Sequence, residues 1–391
     1  MNLTVCIATA EYPPTIGGVG FSVHRIASQL SQLGYQMHVA VLEKDGYNRA
    51  ERVLGISTST TLEGEVTVHR IRVPSRTSLS KARDIETDFY VALRELHRKY
   101  NFELFHCFYL RQPALACAIF AVEEGIPYVC SARGSDLHKH VFEPGALSSF
   151  VWILRQASWS TYVSESLRRR ALALVPEIEL RSSTFWNSID SSVLEELPSV
   201  SMPASVSGIT IGTLGRFRDK KGCETLLDAC AQVAKHHKIS VVMIGDFVDT
   251  EREYWELVLA KSPISDQIVT LGLMDRRRAL AYLQMLDIVV FSSIHDGCPN
   301  ALLEAMAAAR PIIASRVDSL SEIIENGRNG LLADPLNSGE FATKLIDLIH
   351  DQDQRLALGS AARADAILRF HPTVEAAAWK NVYESAVTGY A

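Results

Sequence analysis

Asp296 and Glu304 stand eight residues apart in the segment SSIHDGCPNALLEAMAAARPIIAS. An apolar run, DIVVFSS, ends at Ser293, and a helical pattern begins at Pro299. Proline fits a first helical position, where its missing N–H costs nothing. The spacing then puts Asp296 in the loop at the mouth of a cleft and Glu304 about one turn inside the helix. Both carboxylates could accept hydrogen bonds from hydroxyls, and the backbone N–H groups between them could face an anion. That chemistry suits a molecule whose sugar hydroxyls flank phosphates. The plain alternative is a helix cap at Asp296 and a solvated helix residue at Glu304.

Upstream, GTLGRFRDKKGCETLLDA follows a strand pattern and precedes a helix, with Arg216 and Lys221 in the connection. Two cations beside a helix start suit a diphosphate, although a solvated basic loop reads the same way. Near the N-terminus, EYPPTIGGVG puts Gly17, Gly18 and Gly20 before another helix. Glycines there allow close backbone approach to a ligand or simply a tight turn. The GGxG spacing differs from the GxGxxG of dinucleotide sites, so a nicotinamide cofactor is disfavoured. In SARGSDLHKH, the residues Arg133, Ser135, Asp136 and His138 follow a strand pattern and would line the cleft, or Arg133 and Asp136 would pair to cap the next helix. His106 ends the run LFHCF and would line the cleft too, or fill a structural place.

The elements that must position these residues alternate strand and helix throughout, which predicts parallel sheets covered by helices. In the first half the expected strands are 3–9, 36–42, 66–73, 104–108, 128–132 and 160–164. A helix at 21–33 carries Val23, Ile26, Ala27, Leu30 and Leu33 on one stripe. A Ser- and Pro-rich stretch then breaks the pattern, which restarts with strands at 208–215, 240–247, 267–273, 287–293 and 311–316. Helices are expected near 223–237, 250–262, 276–286 and 299–309. The division is a first Rossmann-like domain over 1–190, a linker over 191–207 and a second domain over 208–370. Pro372 opens a final helix in 371–391.

The 391 residues, 47% hydrophobic and 21% charged with net charge −6, fit a two-domain globular chain and argue against a nucleic-acid partner. Seven scattered cysteines without CxxC pairs predict buried, reduced thiols. No apolar run is long enough to span a bilayer, and the N-terminal NLTVCIATA reads as a first strand instead of a signal peptide.

Taken together, YPPTIGGVG, GRFRDKKG, HDGCPNALLEAMAAARPIIAS and NGRNGLL resemble the motifs of the retaining glycosyltransferases of family 4 over nearly the whole chain. The resemblance implies α/β architecture of the GT-B type, with two Rossmann-like domains whose parallel sheets face a central cleft. It also implies that the last helix crosses back to the first domain. By the same resemblance Arg216 and Lys221 hold the donor phosphates, Glu304 binds the ribose and Asp296 contacts the transferred sugar. Arg133 then lies beside the reacting sugar. The donor contacts extend to Gly17, Gly18, Gly215, Gly245, Gly297, Pro299, Asn300 and Ala301, and Asp136, His106 and His138 fall on the acceptor side. No metal and no cofactor are expected. The partners are a nucleotide-sugar, UDP-linked before GDP-mannose, and a sugar or lipid-linked hydroxyl acceptor in polysaccharide or glycolipid synthesis.

Two departures stand out. Asp296 replaces the usual glutamate, and Arg133 stands where many members carry histidine; an arginine is not a base in a protein. A non-catalytic partner subunit and a nucleotide-sugar epimerase or hydrolase are the competing readings. A cytoplasmic protein is expected, and the cluster Arg168, Arg169 and Arg170 beside an apolar run suits either peripheral contact at the inner membrane face or the solvated face of a surface helix.

Overall fold

The computed structural model describes residues 3–15, 17–44, 55–73 and 82–389. The chain divides into two units, Met1–Trp186 with Glu375–Ala391, and Asn187–Val374.

The first unit is built on eight strands: β1 (Thr4–Thr9), β2 (Gln36–Lys44), β3 (Ser57–Glu63), β4 (Val66–Val73), β5 (Leu104–Phe108), β6 (Tyr128–Ala132), β7 (Trp159–Tyr162) and β8 (Ser182–Thr184). Their order is β3-β4-β2-β1-β5-β6-β7-β8. Among the described strands of this unit, β3 alone is added antiparallel to its neighbour. Strands β5 and β6 are buried along their whole length and β1 nearly so, as in parallel sheets covered by helices, and this is why they read as unbroken apolar runs. β3 has no such signal. Its residues STSTTLE are exposed almost throughout, so nothing in their polarity marks a strand.

The helix expected at 21–33 spans Gly18–Gln32 and buries Val23, Ile26, Ala27 and Leu30. Leu33 instead lies at the helix end, half exposed, because Gly34 at φ +90° turns the chain away. The strand expected at 160–164 stops at Tyr162, and Ser164 caps the next helix by accepting the Leu167 N–H. The helix Pro372–Thr388 returns to the core of this unit. Trp379, Val382, Tyr383 and Ala386 pack there with Val5, Ile7, Leu104 and Val129. Arg25 clamps the same helix with two hydrogen bonds to Glu375, at 2.8 and 2.9 Å.

His38 on β2 and His69 on β4 are buried, stacked and hydrogen-bonded at 2.9 Å, and His69 also meets the Thr60 hydroxyl of β3 at 2.9 Å. Burial lowers both to about 4. The fold therefore prefers neutral rings. An unfolded histidine takes up its proton near pH 6.5, so the stability gained from neutral rings is complete above that pH and lost as pH falls towards 4. The thermal midpoint is expected to drop by several degrees from pH 7 to pH 4.5. A His38→Asn/His69→Thr variant should show a shallower drop, and an equal drop would place the titrating groups elsewhere.

The second unit has six parallel strands: β9 (Ile209–Phe217), β10 (Ile239–Phe247), β11 (Ile268–Thr270), β12 (Ile288–Phe291), β13 (Ile312–Ser315) and β14 (Leu331–Ala333). The order β11-β10-β9-β12-β13-β14 is the doubly wound order, and it reverses between β9 and β12. The expected linker is part of this unit. It forms a short 3-10 turn, Ser191–Leu194, and its carbonyls at Leu194 and Glu196 accept from Gln284 and Arg277 of the helix Arg276–Gln284. All seven cysteines are free thiols, six buried and Cys298 partly exposed. Among the described residues no helix is long and apolar enough to cross a membrane.

Candidate functional site

In the second unit, the loops after β9 and β12 leave the sheet at its reversal point, where ligands of such sheets bind. After Arg218 the first loop makes a single 3-10 turn, Asp219–Lys221, and passes Gly222 into the helix Cys223–Val233. Gly222 has φ +61°, and a Cβ there would lie 2.0 Å from the Ser292 carbonyl oxygen. Only glycine lets the loops come this close. They are then fastened by the Ser292 hydroxyl donating to the Lys221 carbonyl at 3.1 Å, and by the Ile294 N–H donating to the Lys220 carbonyl at 2.8 Å.

This fastening brings the Lys221 ammonium to Asp296 Oδ2 at 2.6 Å, where the Ser293 hydroxyl also donates at 3.3 Å. The Asp296 peptide is held on both sides, its N–H donating to Asp318 and its carbonyl accepting from the Ser319 hydroxyl. Burial pushes the Asp296 carboxyl up, but the Lys221 and Lys220 charges outweigh it and hold the group below the usual carboxylate range. Asp296 is therefore an ionised, buried partner of Lys221. It is buried and does not cap the following helix, because the glycine-bound loops draw it inward. Burial lowers the neighbouring Lys220. Arg216, near the end of β9, faces Asp246 in register across β10. Asp246 gives both oxygens to Arg252, at 3.0 and 2.8 Å, so that carboxylate is committed elsewhere.

The helix expected from Pro299 starts at Asn300, with Pro299 in extended conformation at its cap. No side chain caps it, and Gly297 and Pro299 are buried beside its start. The side-chain oxygen of Asn300 accepts from Asn187 at 2.8 Å, and Ala301 follows, partly exposed. Glu304 sits one turn on, nearly buried, and accepts from Arg276 Nε at 2.7 Å. Arg276 was not singled out from the sequence. The run DRRR gives no sign of which arginine meets Glu304, and the Asp275 cap fixes that choice by setting where the helix begins. Gly215 and Gly245 are register partners at φ +140° and +128°, and Gly272 pairs with Gly245 at φ +73°. This row of glycines leaves one end of the sheet bare of side chains.

In the first unit, Gly17 and Gly18 open the helix Gly18–Gln32, and a Cβ on Gly18 would meet nothing within 4 Å. The Arg133 guanidinium lies over the Phe108 ring, 4.7 Å from its centroid. Asp136 does not line a cleft. It is fully buried, and its carboxylate accepts the backbone N–H groups of Arg133, Gly134 and Leu137, folding the turn that starts the helix Ser135–His138. Burial raises its pKa, against those N–H groups. His106 is likewise internal. Its ring bonds the Tyr383 hydroxyl at 2.9 Å and the Ser131 hydroxyl at 2.6 Å, and burial with the Arg133 charge lowers it to about 3. It ties the returning helix to the sheet. His138 ends its short helix partly exposed.

The model of the family described as "Glycosyl transferases group 1" matches residues 204–365, and that of "Glycosyltransferase Family 4" matches 16–191. The chain is 23% identical to the N-acetyl-alpha-D-glucosaminyl L-malate synthase of Bacillus anthracis, over 95% of this chain and 94% of the relative. It is 29% identical to the D-inositol 3-phosphate glycosyltransferase of Corynebacterium jeikeium, over 44% of this chain and 43% of that one. Among solved structures, Anabaena HepE in complex with UDP superposes with TM-score 0.75 at 18% identity, covering 98% of this chain and all of that one. Sucrose-phosphate synthase from Thermosynechococcus elongatus gives 0.79 at 17%, covering 97% and 98%.

Proposed function

Since the chain belongs to the family 4, group 1 glycosyltransferases and has their GT-B fold, we propose that it moves a hexose-type sugar from a UDP-sugar to a hydroxyl acceptor with retention at the anomeric carbon. The observation that carries the donor reading is the cluster at the reversal point of the second sheet. Lys221 is locked beside Asp296, Lys220 adjoins it, and Arg216 stands near the end of β9, the strand that leads into the lysine loop. Glu304, set by Arg276, supplies a carboxylate for the ribose diol. The similar Anabaena protein was solved with UDP and with UDP-glucose, which favours UDP over GDP.

In this reading the acceptor hydroxyl attacks the anomeric carbon on the face that the diphosphate leaves. Its proton passes to the departing phosphate oxygen, so no protein nucleophile takes part. Arg216, Lys221 and the helix start at Asn300 stabilise the charge that develops on the leaving diphosphate, and no divalent metal is needed. Arg133 keeps its charge throughout and so acts by position, not as a base. Synthesis of a surface polysaccharide or glycolipid at the cytoplasmic face of a membrane fits this chemistry. Arg169 and Arg170 are exposed on the helix Glu165–Leu174 and would meet anionic lipid. Arg168 is turned instead to Glu165, Ser182 and the Glu179 carbonyl.

A thermal-shift series with UDP, GDP, ADP and TDP in EDTA tests the proposal. UDP at about 100 times its Kd is expected to add about 2.7 kcal/mol to the stability of the folded chain. Glu304→Ala should weaken UDP binding at least tenfold in calorimetry, about the cost of one charge-assisted contact. No shift with UDP, or a shift that requires magnesium, would refute the donor and metal assignments respectively.

A further inference from the structure

Glu304 and Arg276 come from different elements of the second unit and meet at a single hydrogen bond, Arg276 Nε donating to Glu304 Oε1 at 2.7 Å. The Glu304 side chain is 12% exposed and that of Arg276 48%. An ion pair with one half-exposed member adds little stability. It does not account for a carboxylate drawn under the surface with so few donors, since such a group has about four acceptor sites. Among the described residues nothing donates to Glu304 Oε2, and the two terminal nitrogens of Arg276 meet no acceptor. The bond is thus flanked by an open acceptor on one side and open donors on the other. Glu304 lies one turn into the helix Asn300–Ala307, and Arg276 opens the helix Arg276–Gln284, four residues past Gly272 of the glycine row. The next arginine does not share this place, because Arg277 donates to the Glu196 carbonyl.

We infer that Arg276 reads the ribose of the donor together with Glu304 and confines the donor to ribonucleotides, an inference that rests on the proposed UDP-sugar donor. One hydroxyl of the 2′,3′-diol donates to Glu304, and the other accepts from a terminal nitrogen of Arg276. A hydroxyl can do either, whereas an ionised carboxylate only accepts and a guanidinium only donates. Two vicinal hydroxyls on one ring therefore match the pair, which offers one group of each sense. The planar guanidinium lets Nε stay on Glu304 while a terminal nitrogen turns to the ligand, a division of tasks that the point charge of a lysine lacks. The bond between the two side chains also holds them in place before the nucleotide arrives, which lowers the ordering cost of binding. A nucleotide without one of the hydroxyls leaves either the carboxylate or the guanidinium unpaired, and a site built to bond a hydroxyl rejects the analogue that lacks it. Sugars carried on TDP, whose pentose is 2′-deoxyribose, are excluded on this ground.

Calorimetry on the full chain with UDP, 2′-deoxy-UDP and 3′-deoxy-UDP tests this. The wild-type chain should bind each deoxy analogue at least about tenfold more weakly than UDP, the loss expected for one hydrogen bond to a charged group. In Arg276→Met, which keeps the apolar stem at a half-exposed position, UDP should weaken by about the same factor. One of the two deoxy penalties should then disappear while the other stays. Glu304→Ala should show the opposite pattern, losing the penalty that Arg276→Met keeps. If both penalties shrink together in Arg276→Met, Arg276 only orients Glu304, and the inference is overturned. It is equally overturned if neither penalty changes, or if the wild-type chain binds UDP and both deoxy analogues alike. In that last case the donor reading survives, because UDP still binds. A wild-type chain that binds none of the three removes the donor reading and the inference together.

Discussion

Lys221→Ala is expected to lower turnover at saturating donor by about 10²–10³-fold, the loss seen when one preorganised charge contact is removed from a developing anion. The ammonium is not a loose surface charge. It is held at 2.6 Å from a buried carboxylate by loops that Gly222 brings together, so it has little reorganisation left to undergo when the leaving group forms. The same substitution strands Asp296 without its cation, and removing one member of a buried pair costs about 3–5 kcal/mol. Catalytic and structural losses therefore need separating. In Lys221→Ala/Asp296→Asn the neutral amide should recover most of the stability while turnover stays low. Recovery of turnover in the double variant would mean that Lys221 serves only to neutralise Asp296. Steady-state kinetics with thermal unfolding on the wild-type chain and both variants distinguishes these outcomes.

Gly245→Ala should destabilise the second unit by about 3 kcal/mol or more. Its φ of +128° lies where essentially only glycine is found, which alone costs about 1–3 kcal/mol in another residue. A Cβ would in addition sit 2.0 Å from the Gly215 carbonyl oxygen, a backbone atom that cannot rotate aside. Gly215→Ala is the natural control. Its φ is equally positive at +140°, but its Cβ would meet nothing within 4 Å. The difference between the two variants in denaturant midpoint measures the clash without the dihedral cost. Equal midpoints would show that the two strands part easily, and that the glycine row is not held by packing.

The buried strands and the donor loops were legible because each is a sharp local pattern. DIVVFSS ends in the turn that carries Asp296, and GRFRDKKG marks both cations and the glycine that seats them. What escaped was decided by partners distant in the chain. His106 and Asp136 have the residue types and strand-end positions of cleft residues. Burial of His106 depends on Tyr383, 277 residues away, and that of Asp136 on a turn whose own N–H groups consume its carboxylate. Strand β3 is an exposed, hydroxyl-rich edge without apolar alternation, so its pairing with β4 left no trace in polarity. Arg276 and Glu304 bring charges together from separate elements, and a single sequence carries no mark of such meetings.

The return of the last helix to the first unit sets an order of events during synthesis. The ribosome makes β1 to β8 first, yet their core lacks Trp379, Val382, Tyr383 and Ala386 until the strands of the second unit have been translated. The second unit is contiguous and has all its strands before that helix emerges. The unit begun first is thus completed last. In the interval, the apolar bed awaiting Trp379 and the ring of His106 without its Tyr383 hydroxyl are surfaces that a nascent-chain chaperone would recognise.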